Sequence, residues 1–321
     1  PDVVGISMLT PQFAAGTEAA RIVRSLALGA LLVAGGPHPT VMPEDTMRRL
    51  GPDLLLRGES ETSFGMFLDG EEWERIPGAV YPGRDGPVAS EAPGAAPDLD
   101  TLPLPDRSLF DMETYISHWY SMDRVDPRLR GTTLMATRGC PYHCSYCQPT
   151  LSMIFGRKLR KRSPEAIVEE LEILVRTYRI NAFMFEDSTF IVDHPWVHKI
   201  CDRLIESGLR LFWCCNVRAD LLTGELLDHM VQAGLRKVNM GVETASQRVL
   251  DDIYQKGITV EGVKKALRLC KERGVFVQGY FMLGTPGETL EEMKQTVRFA
   301  SREPFDDALF DITTPFPCTT L

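Results

Sequence analysis

The apolar residues of this chain follow two alternating patterns. Short apolar blocks end near glycines, and between them apolar residues recur at helical spacing. In the first part, 2–7, 31–34 and 53–56 read as buried strands, and 17–28 and 43–50 as helices. Gly35-Gly36 and Gly58 follow the second and third strands. Such repetition predicts an incomplete doubly wound, Rossmann-like parallel sheet over residues 1–81. Sheets of this kind take ligands beyond the carboxyl ends of their strands, where glycine lets backbone approach a ligand or turn sharply. Ordinary turns use glycine in the same places.

The pattern breaks over 82–130, which reads as a linker. Pro and Gly are dense from Pro82 to Pro97, and Leu102-Pro-Leu-Pro105 cannot extend a helix. One short amphipathic piece, 108–119, interrupts it. From 131 to 321 the alternation resumes with six strands, at 132–137, 182–185, 211–216, 237–242, 275–282 and 308–313. Ser163 is an N-cap ahead of Pro164, opening a helix to about Tyr178. A second helix, 223–233, stops at Gly234. Thr289 and Glu292 form a capping box. Six parallel strands with helices outside predict a partial (β/α)6 barrel with one side open.

Composition adds limits. At 321 residues the chain has room for two domains. A formal net charge of −9 argues against nucleic acid or an anionic membrane as partner. The longest apolar stretch, 26–34, is far too short to span a bilayer, and no basic-then-apolar leader is present. Cys201, Cys214, Cys215, Cys270 and Cys318 show no disulfide framework, so a reducing cytoplasm is expected. Pro1 opens inside a strand pattern and Leu321 closes at a strand end, so the ends read as trimmed.

The chemistry concentrates in Cys140-Pro-Tyr-His-Cys144-Ser-Tyr-Cys147, three thiols in eight residues. A structural zinc takes four protein ligands, and an ordinary iron–sulfur cluster four cysteines. Three leave one iron of a four-iron cluster bare, and a bare iron can bind a substrate. The same residues also suit a zinc site completed by His143 or a distant cysteine, or three buried thiols without metal.

The CxxxCxxC spacing, with Tyr146 before the last cysteine, resembles the signature of the radical S-adenosylmethionine (SAM) enzymes. The resemblance covers about 132–321. It recurs at successive strand ends, in Phe185-Glu186-Asp187-Ser-Thr-Phe190, Gly241-Val-Glu243-Thr244, Gly279-Tyr-Phe-Met282-Leu-Gly284-Thr-Pro-Gly287 and Thr313-Thr-Pro315-Phe-Pro317. It implies a [4Fe-4S] cluster on Cys140, Cys144 and Cys147. It also implies SAM held by Tyr146, Phe185, Glu186, Asp187, Arg218, Glu243, Thr244, Met282, Gly284 and Pro315. Relatives more often carry two aspartates where this chain has Glu186 and Asp187, and commonly glycine at the position of Cys318. Arg218 fits the SAM carboxylate or a surface pair with Asp220.

The first domain resembles the cobalamin-binding domain that precedes this barrel in one branch of the family. Ser7, Thr10, Gly35, Gly36, Gly58 and Glu59 are the implied cobalamin residues. The loop that ligates cobalt in some relatives would lie before Pro1, and His38 reads as a turn residue. The implied activity is reductive cleavage of SAM to methionine and a 5′-deoxyadenosyl radical, followed by cobalamin-dependent methylation of an unactivated carbon. Radical oxidative cyclisation or rearrangement without methyl transfer uses the same parts. A non-catalytic zinc or iron–sulfur module is the distant alternative. A methylthiotransferase would need a second cluster, and residues 1–130 hold no cysteine. The implied partners are an organic substrate and an electron donor such as flavodoxin or ferredoxin. Cys214, Cys215 and Tyr280 are candidate cavity residues without a catalytic role; alternation sends one of the two cysteines into the core.

Overall fold

A computed structural model describes residues 1–26, 29–90 and 96–321. The chain divides into two compact units, Pro1–Asp98 with Gly139–Lys158 and Pro315–Thr320, and Leu99–Arg138 with Leu159–Thr314 and Leu321. This grouping differs from the three consecutive segments expected, because the cysteine loop belongs with the amino-terminal unit.

The first unit is built on β1 (Val3–Ser7), β2 (Leu31–Gly35), β3 (Leu54–Leu56), β4 (Ala79–Gly83) and β5 (Gly86–Ala89), paired in that order. β1, β2 and β3 are parallel, and β4 and β5 add an antiparallel hairpin at the edge. The hairpin falls partly in the segment read as linker. Its alternation is too short and too interrupted by proline and glycine to stand out. Helices α1 (Phe13–Leu26), α2 (Pro37–Val41), α3 (Pro43–Leu50) and α4 (Glu61–Leu68) complete the unit's first part. The expected end of the first helix, Leu28, lies outside the described residues. Phe13, Ala20, Met47 and Leu50 pack with Leu32, Ala34 and Leu55 on one face of the sheet. Phe67 and Ile76 cover Val33, Leu54 and Leu56 on the other. Two covered faces explain why the strands are apolar throughout instead of alternating.

The second unit contains α5 (Met112–Ser117), whereas α6 (Thr150–Phe155) returns to the first and packs on α2. The barrel strand β6 (Gly131–Leu134) is followed by β7 (Thr137–Arg138) and β8 (Arg160–Lys161), an antiparallel ladder on either side of the cysteine loop. Next come β9 (Ala182–Phe185), β10 (Phe212–Val217), β11 (Leu235–Glu243), β12 (Phe276–Leu283) and β13 (Asp307–Ile312). The sheet runs β13-β12-β11-β10-β9-β6, all parallel, with no pairing from β13 back to β6. This is the expected six-stranded open barrel. Helices α7 (Pro164–Tyr178), α8 (His194–Glu206), α9 (Gly224–Gln232), α10 (Val260–Glu272) and α11 (Leu290–Arg302) lie between the strands in sequence. Ser163, Thr223 and Thr289 cap α7, α9 and α11 as their sequences indicate, the last as a full capping box.

Alternation sorts the two faces. Phe183, Phe185, Trp213, Cys215, Val238, Met240, Val277 and Phe281 join the core under the helices. Ala182, Met184 and Cys214 face the other way and are covered by Met122, Trp119, Val125 and Leu129. Part of the presumed linker therefore plugs the inner face. Lys237 joins this floor, donating to the carbonyl of Ser121 at 2.6 Å. The plug carries no regular periodicity, which is why sequence pattern gave no sign of it.

Candidate functional site

In the first unit the cysteine loop is shaped locally. Gly139 has φ of 89°, and a Cβ there would lie 2.5 Å from the carbonyl oxygen of Lys158. Glycine is needed on both counts. Beyond it, the N–H groups of Cys147 and Gln148 both donate to the carbonyl of Cys144, at 3.0 and 2.9 Å. This turns the chain so that α6 can start at Thr150. Cys144 is buried, and Cys140 and Cys147 are half-buried. Among the described residues no three His, Cys, Asp or Glu side chains already converge as a cage for a single ion. Three thiols on one loop, with the ring of Tyr146 half-buried between two of them in sequence, suit a polynuclear cluster better than a closed zinc site; His143 is exposed.

The chain's last residues strap this loop. Thr150 Oγ1 donates to the carbonyl of Pro317 at 2.7 Å, and Thr320 N to the carbonyl of Gln148 at 3.1 Å. Pro315, expected beside SAM, belongs to this strap. Cys318, where relatives commonly carry glycine, has φ of 65° and lies 3.5 Å from the Val41 carbonyl.

The cobalamin candidates of the same unit gather at the carboxyl ends of β1, β2 and β3. Gly36 has φ of 92°, and a Cβ there would meet Ser7 Oγ at 2.6 Å. Thr40 Oγ1 donates to the Gly36 carbonyl at 2.8 Å and accepts from Gly58 N at 2.9 Å. Thr10 Oγ1 contacts His38 Nδ1 at 3.1 Å, and the His38 ring packs on Phe13. Burial lowers the His38 pKa. The ring supports α2, in keeping with a structural role. A cleft of about 330 Å³ is lined by Gly58 and Glu59 on one side and by Met153 and Phe155 of α6 on another. The segment after β3 and the helix after the cysteines thus open onto one space.

In the second unit the acidic pair divides. Glu186 is exposed on the inner-face side of β9, and desolvation raises its carboxyl pKa. Asp187 is buried; its carboxylate accepts from the backbone N–H groups of Ala136, at 3.3 Å, and Thr137. Burial lifts its pKa to about 6. Both oxygens of Asp187, a residue named for SAM, pin the chain just before the cysteine loop. The ring of Phe185 stacks on Phe190 at 4.1 Å within the core under the helices.

The guanidinium of Arg218 forks onto Asp220, with both contacts at 3.1 Å, and donates to the Lys256 carbonyl at 2.8 Å. This is the Asp220 pairing named from the sequence. Glu243 ends β11 with φ of 66° and pairs with Lys256 at 2.5 Å, both buried. Thr244 is fully buried and bonded to Thr296 Oγ1 at 3.0 Å, so its side chain is committed to α11. Met282 is half-buried on the inner face, opposite in sense to the buried Phe281. Gly284 has φ of 79°, and its N–H and that of Thr285 both reach Glu288 Oε2, at 2.7 and 3.2 Å.

Sequence reasoning missed a polar relay. Asn216 Nδ2 donates to the Asp187 carbonyl at 2.9 Å, and Asn239 Nδ2 donates to Asn216 Oδ1 at 3.1 Å. The carbonyl can only accept, so it fixes both amides. Asn216, Asn239 and Gln278 lie in register on the inner face. Single amides at period-two positions in otherwise apolar strands are the signal that would have found them. Cys214 and Cys215 are both fully buried, and burial pushes the Cys214 thiol up to about 12. Cys215 joins the core under the helices and Cys214 faces the inner side, so alternation separates the two.

Comparison with known proteins gives two family matches, the radical SAM superfamily over residues 134–300 and the B12 binding domain over 1–68. An uncharacterized methyltransferase of Pyrococcus horikoshii is 33% identical over this whole chain and 68% of its own length. The anaerobic magnesium-protoporphyrin IX monomethyl ester cyclase of Rubrivivax gelatinosus is 30% identical over the whole chain and 58% of its length. Among solved structures, the radical SAM methyltransferase TsrM of Kitasatospora setae superposes with a TM-score of 0.80 at 20% identity, over all of this chain and 63% of that one. At that identity the likeness is one of fold. The chain thus spans roughly 58–68% of the length of these relatives.

Proposed function

This chain belongs to the radical SAM superfamily, and from that membership we propose that it works as a cobalamin-dependent member that cleaves SAM reductively and methylates an unactivated carbon of an organic substrate. The observation that carries the reading is the shared space in the first unit. The end of β3, at Gly58 and Glu59, lines the same cleft as α6, which leaves the three-cysteine loop. A cobalt cofactor and a cluster that exchange groups through one substrate need such proximity.

Cys140, Cys144 and Cys147 fit as thiolate ligands of a [4Fe-4S] cluster with one open iron. When bound, cluster and cobalamin supply the electron that breaks the SAM sulfur–carbon bond and the methyl group that is passed on. The protein's own residues bind and orient. Glu186 offers a carboxylate to the SAM ammonium. Glu243, held by Lys256, offers acceptors to ribose hydroxyls. Gly284 and Met282 give a close backbone and an apolar surface for adenine, and Tyr146 and Pro315 border the cluster loop. Ser7, Thr10, Gly35, Gly36, Gly58 and Glu59 line the cobalamin side. Arg218 acts indirectly, by holding the Lys256 carbonyl. The domain limits 1–81, 82–130 and 131–321 remain a functional division in this reading, with the cofactor-binding roles on either side of the middle segment.

A second reading, oxidative cyclisation without methyl transfer, is favoured by the 30% identity to the cyclase of Rubrivivax gelatinosus. A reducing, cytoplasmic setting and an electron donor belong to both; among the described residues no helix is long and apolar enough to cross a membrane. The test is anaerobic reconstitution with iron, sulfide and hydroxocobalamin. Both cofactors retained after desalting, and S-adenosylhomocysteine formed from SAM under reductant, support the methyl-transfer reading. Cluster retention without cobalamin would overturn it.

A further inference from the structure

Two histidines that the proposed function does not use meet where α8 and α9 pack together in the second unit. His198 stands on α8 and His229 on α9, and both rings are half-buried. Their Nδ1 atoms lie 2.7 Å apart, with the ring centroids at 5.0 Å. On the far side of the second ring, His229 Nε2 lies 3.1 Å from Oδ1 of Asp202, which follows His198 by one turn on α8. That carboxylate fixes the tautomers. It can only accept, so His229 Nε2 carries a hydrogen and, in the neutral ring, His229 Nδ1 is bare. His198 Nδ1 then donates to it. Two imidazole nitrogens therefore aim at one position and share a single proton there.

We propose that this pair is a binding site for a late first-row divalent cation such as zinc, with Nδ1 of His198 and Nδ1 of His229 as its ligands. The ion takes the place of the shared proton, which leaves to solvent, and no electron moves. Imidazole nitrogens suit zinc, copper and nickel. Two of them on one tetrahedral zinc sit about 3.3 Å apart, so the rings open by roughly 0.6 Å to admit it. A carboxylate on the far nitrogen of a ligating histidine orients the ring and raises its basicity, and Asp202 is placed for that part. Among the described residues no three His, Cys, Asp or Glu side chains converge on one point, so water completes the coordination. The ion clips α8 to α9 in the outer layer of the barrel.

The test is anaerobic calorimetric titration of the cluster-loaded protein with zinc chloride, comparing the parent with His198→Gln, His229→Gln and Asp202→Asn. Any zinc taken up by the cysteine loop is common to all four proteins. The parent is expected to bind one equivalent more than either glutamine variant. Asp202→Asn is expected to keep that equivalent with about tenfold weaker affinity. Saturating zinc is also expected to raise the urea midpoint of the parent and to leave those of the glutamine variants unmoved. Their zinc-free midpoints report that they fold. None of these readouts depends on SAM cleavage. A parent that binds no more zinc than both glutamine variants would overturn the assignment and leave the pair as a hydrogen bond between two helices.

Discussion

Asp187 reaches from the end of β9 to the backbone N–H of Thr137, three residues ahead of Cys140. Its neighbour Glu186 points away from that anchor and stays exposed. Of the two adjacent carboxylates, one fixes the chain ahead of the cysteine loop and the other stays exposed. Asp187→Asn is expected to destabilise the fold by about 1–3 kcal/mol, because an amide turns one acceptor into a donor facing a buried N–H. Iron per chain is expected to fall with it. Glu186→Gln is expected to leave both unchanged and to weaken SAM binding. Urea unfolding, iron assay and equilibrium dialysis of SAM distinguish the two.

The same anchor gives a pH dependence of defined sign. The Asp187 pKa is about 6 in the fold, against an ordinary 3.8, because burial outweighs the N–H contacts. The native state therefore keeps a proton that the unfolded chain releases. Its contribution is fullest below the unfolded value, declines as pH rises through about 4 to 6, and is flat above. Stability of the parent relative to Asp187→Asn is expected to fall by at most about 3 kcal/mol across that window. Urea midpoints at half-unit pH intervals measure it; a difference that rises with pH would contradict the burial account.

Lys256 and Glu243 form a buried pair at a position where Glu243 also carries a positive φ. Removing one charge strands the other. Lys256→Met is expected to cost about 3–5 kcal/mol, more than Lys256→Arg, which retains the charge. Denaturant unfolding of the two variants, with SAM affinity as a second readout, checks the ordering.

Gly139 is required twice, by its φ and by the Lys158 carbonyl, whereas Gly156 has φ of 73° and open space around it. Gly139→Ala is expected to lower iron retention clearly, and Gly156→Ala to show only the smaller cost of a left-handed backbone, about 1 kcal/mol. Iron per chain after desalting separates clash from strain.

Much of this was legible in the sequence. The six barrel strands, the caps at Ser163 and Thr289 and the cysteine loop all declare themselves locally, through period, capping residues and spacing. What was hidden depends on contacts distant in sequence. Phe185 and Thr244 sit in motifs that match a family pattern, yet alternation turns the ring of one into the core, and a partner 52 residues away claims the hydroxyl of the other. Arg218 carried two readings from sequence, and the fold forms its pair with Asp220. The Met122 plug has no period, and the Asn216–Asn239 relay joins two strands through side chains that no local pattern links.

The central claim is that this chain cleaves SAM at a cluster held by three cysteines. Its most direct measurement is 5′-deoxyadenosine by mass spectrometry, after anaerobic reconstitution and incubation with SAM and dithionite, with Cys144→Ala alongside. The account predicts 5′-deoxyadenosine from the parent and none from the variant. A fully iron-loaded parent that leaves SAM intact, or a Cys144→Ala variant that cleaves it equally well, would contradict it.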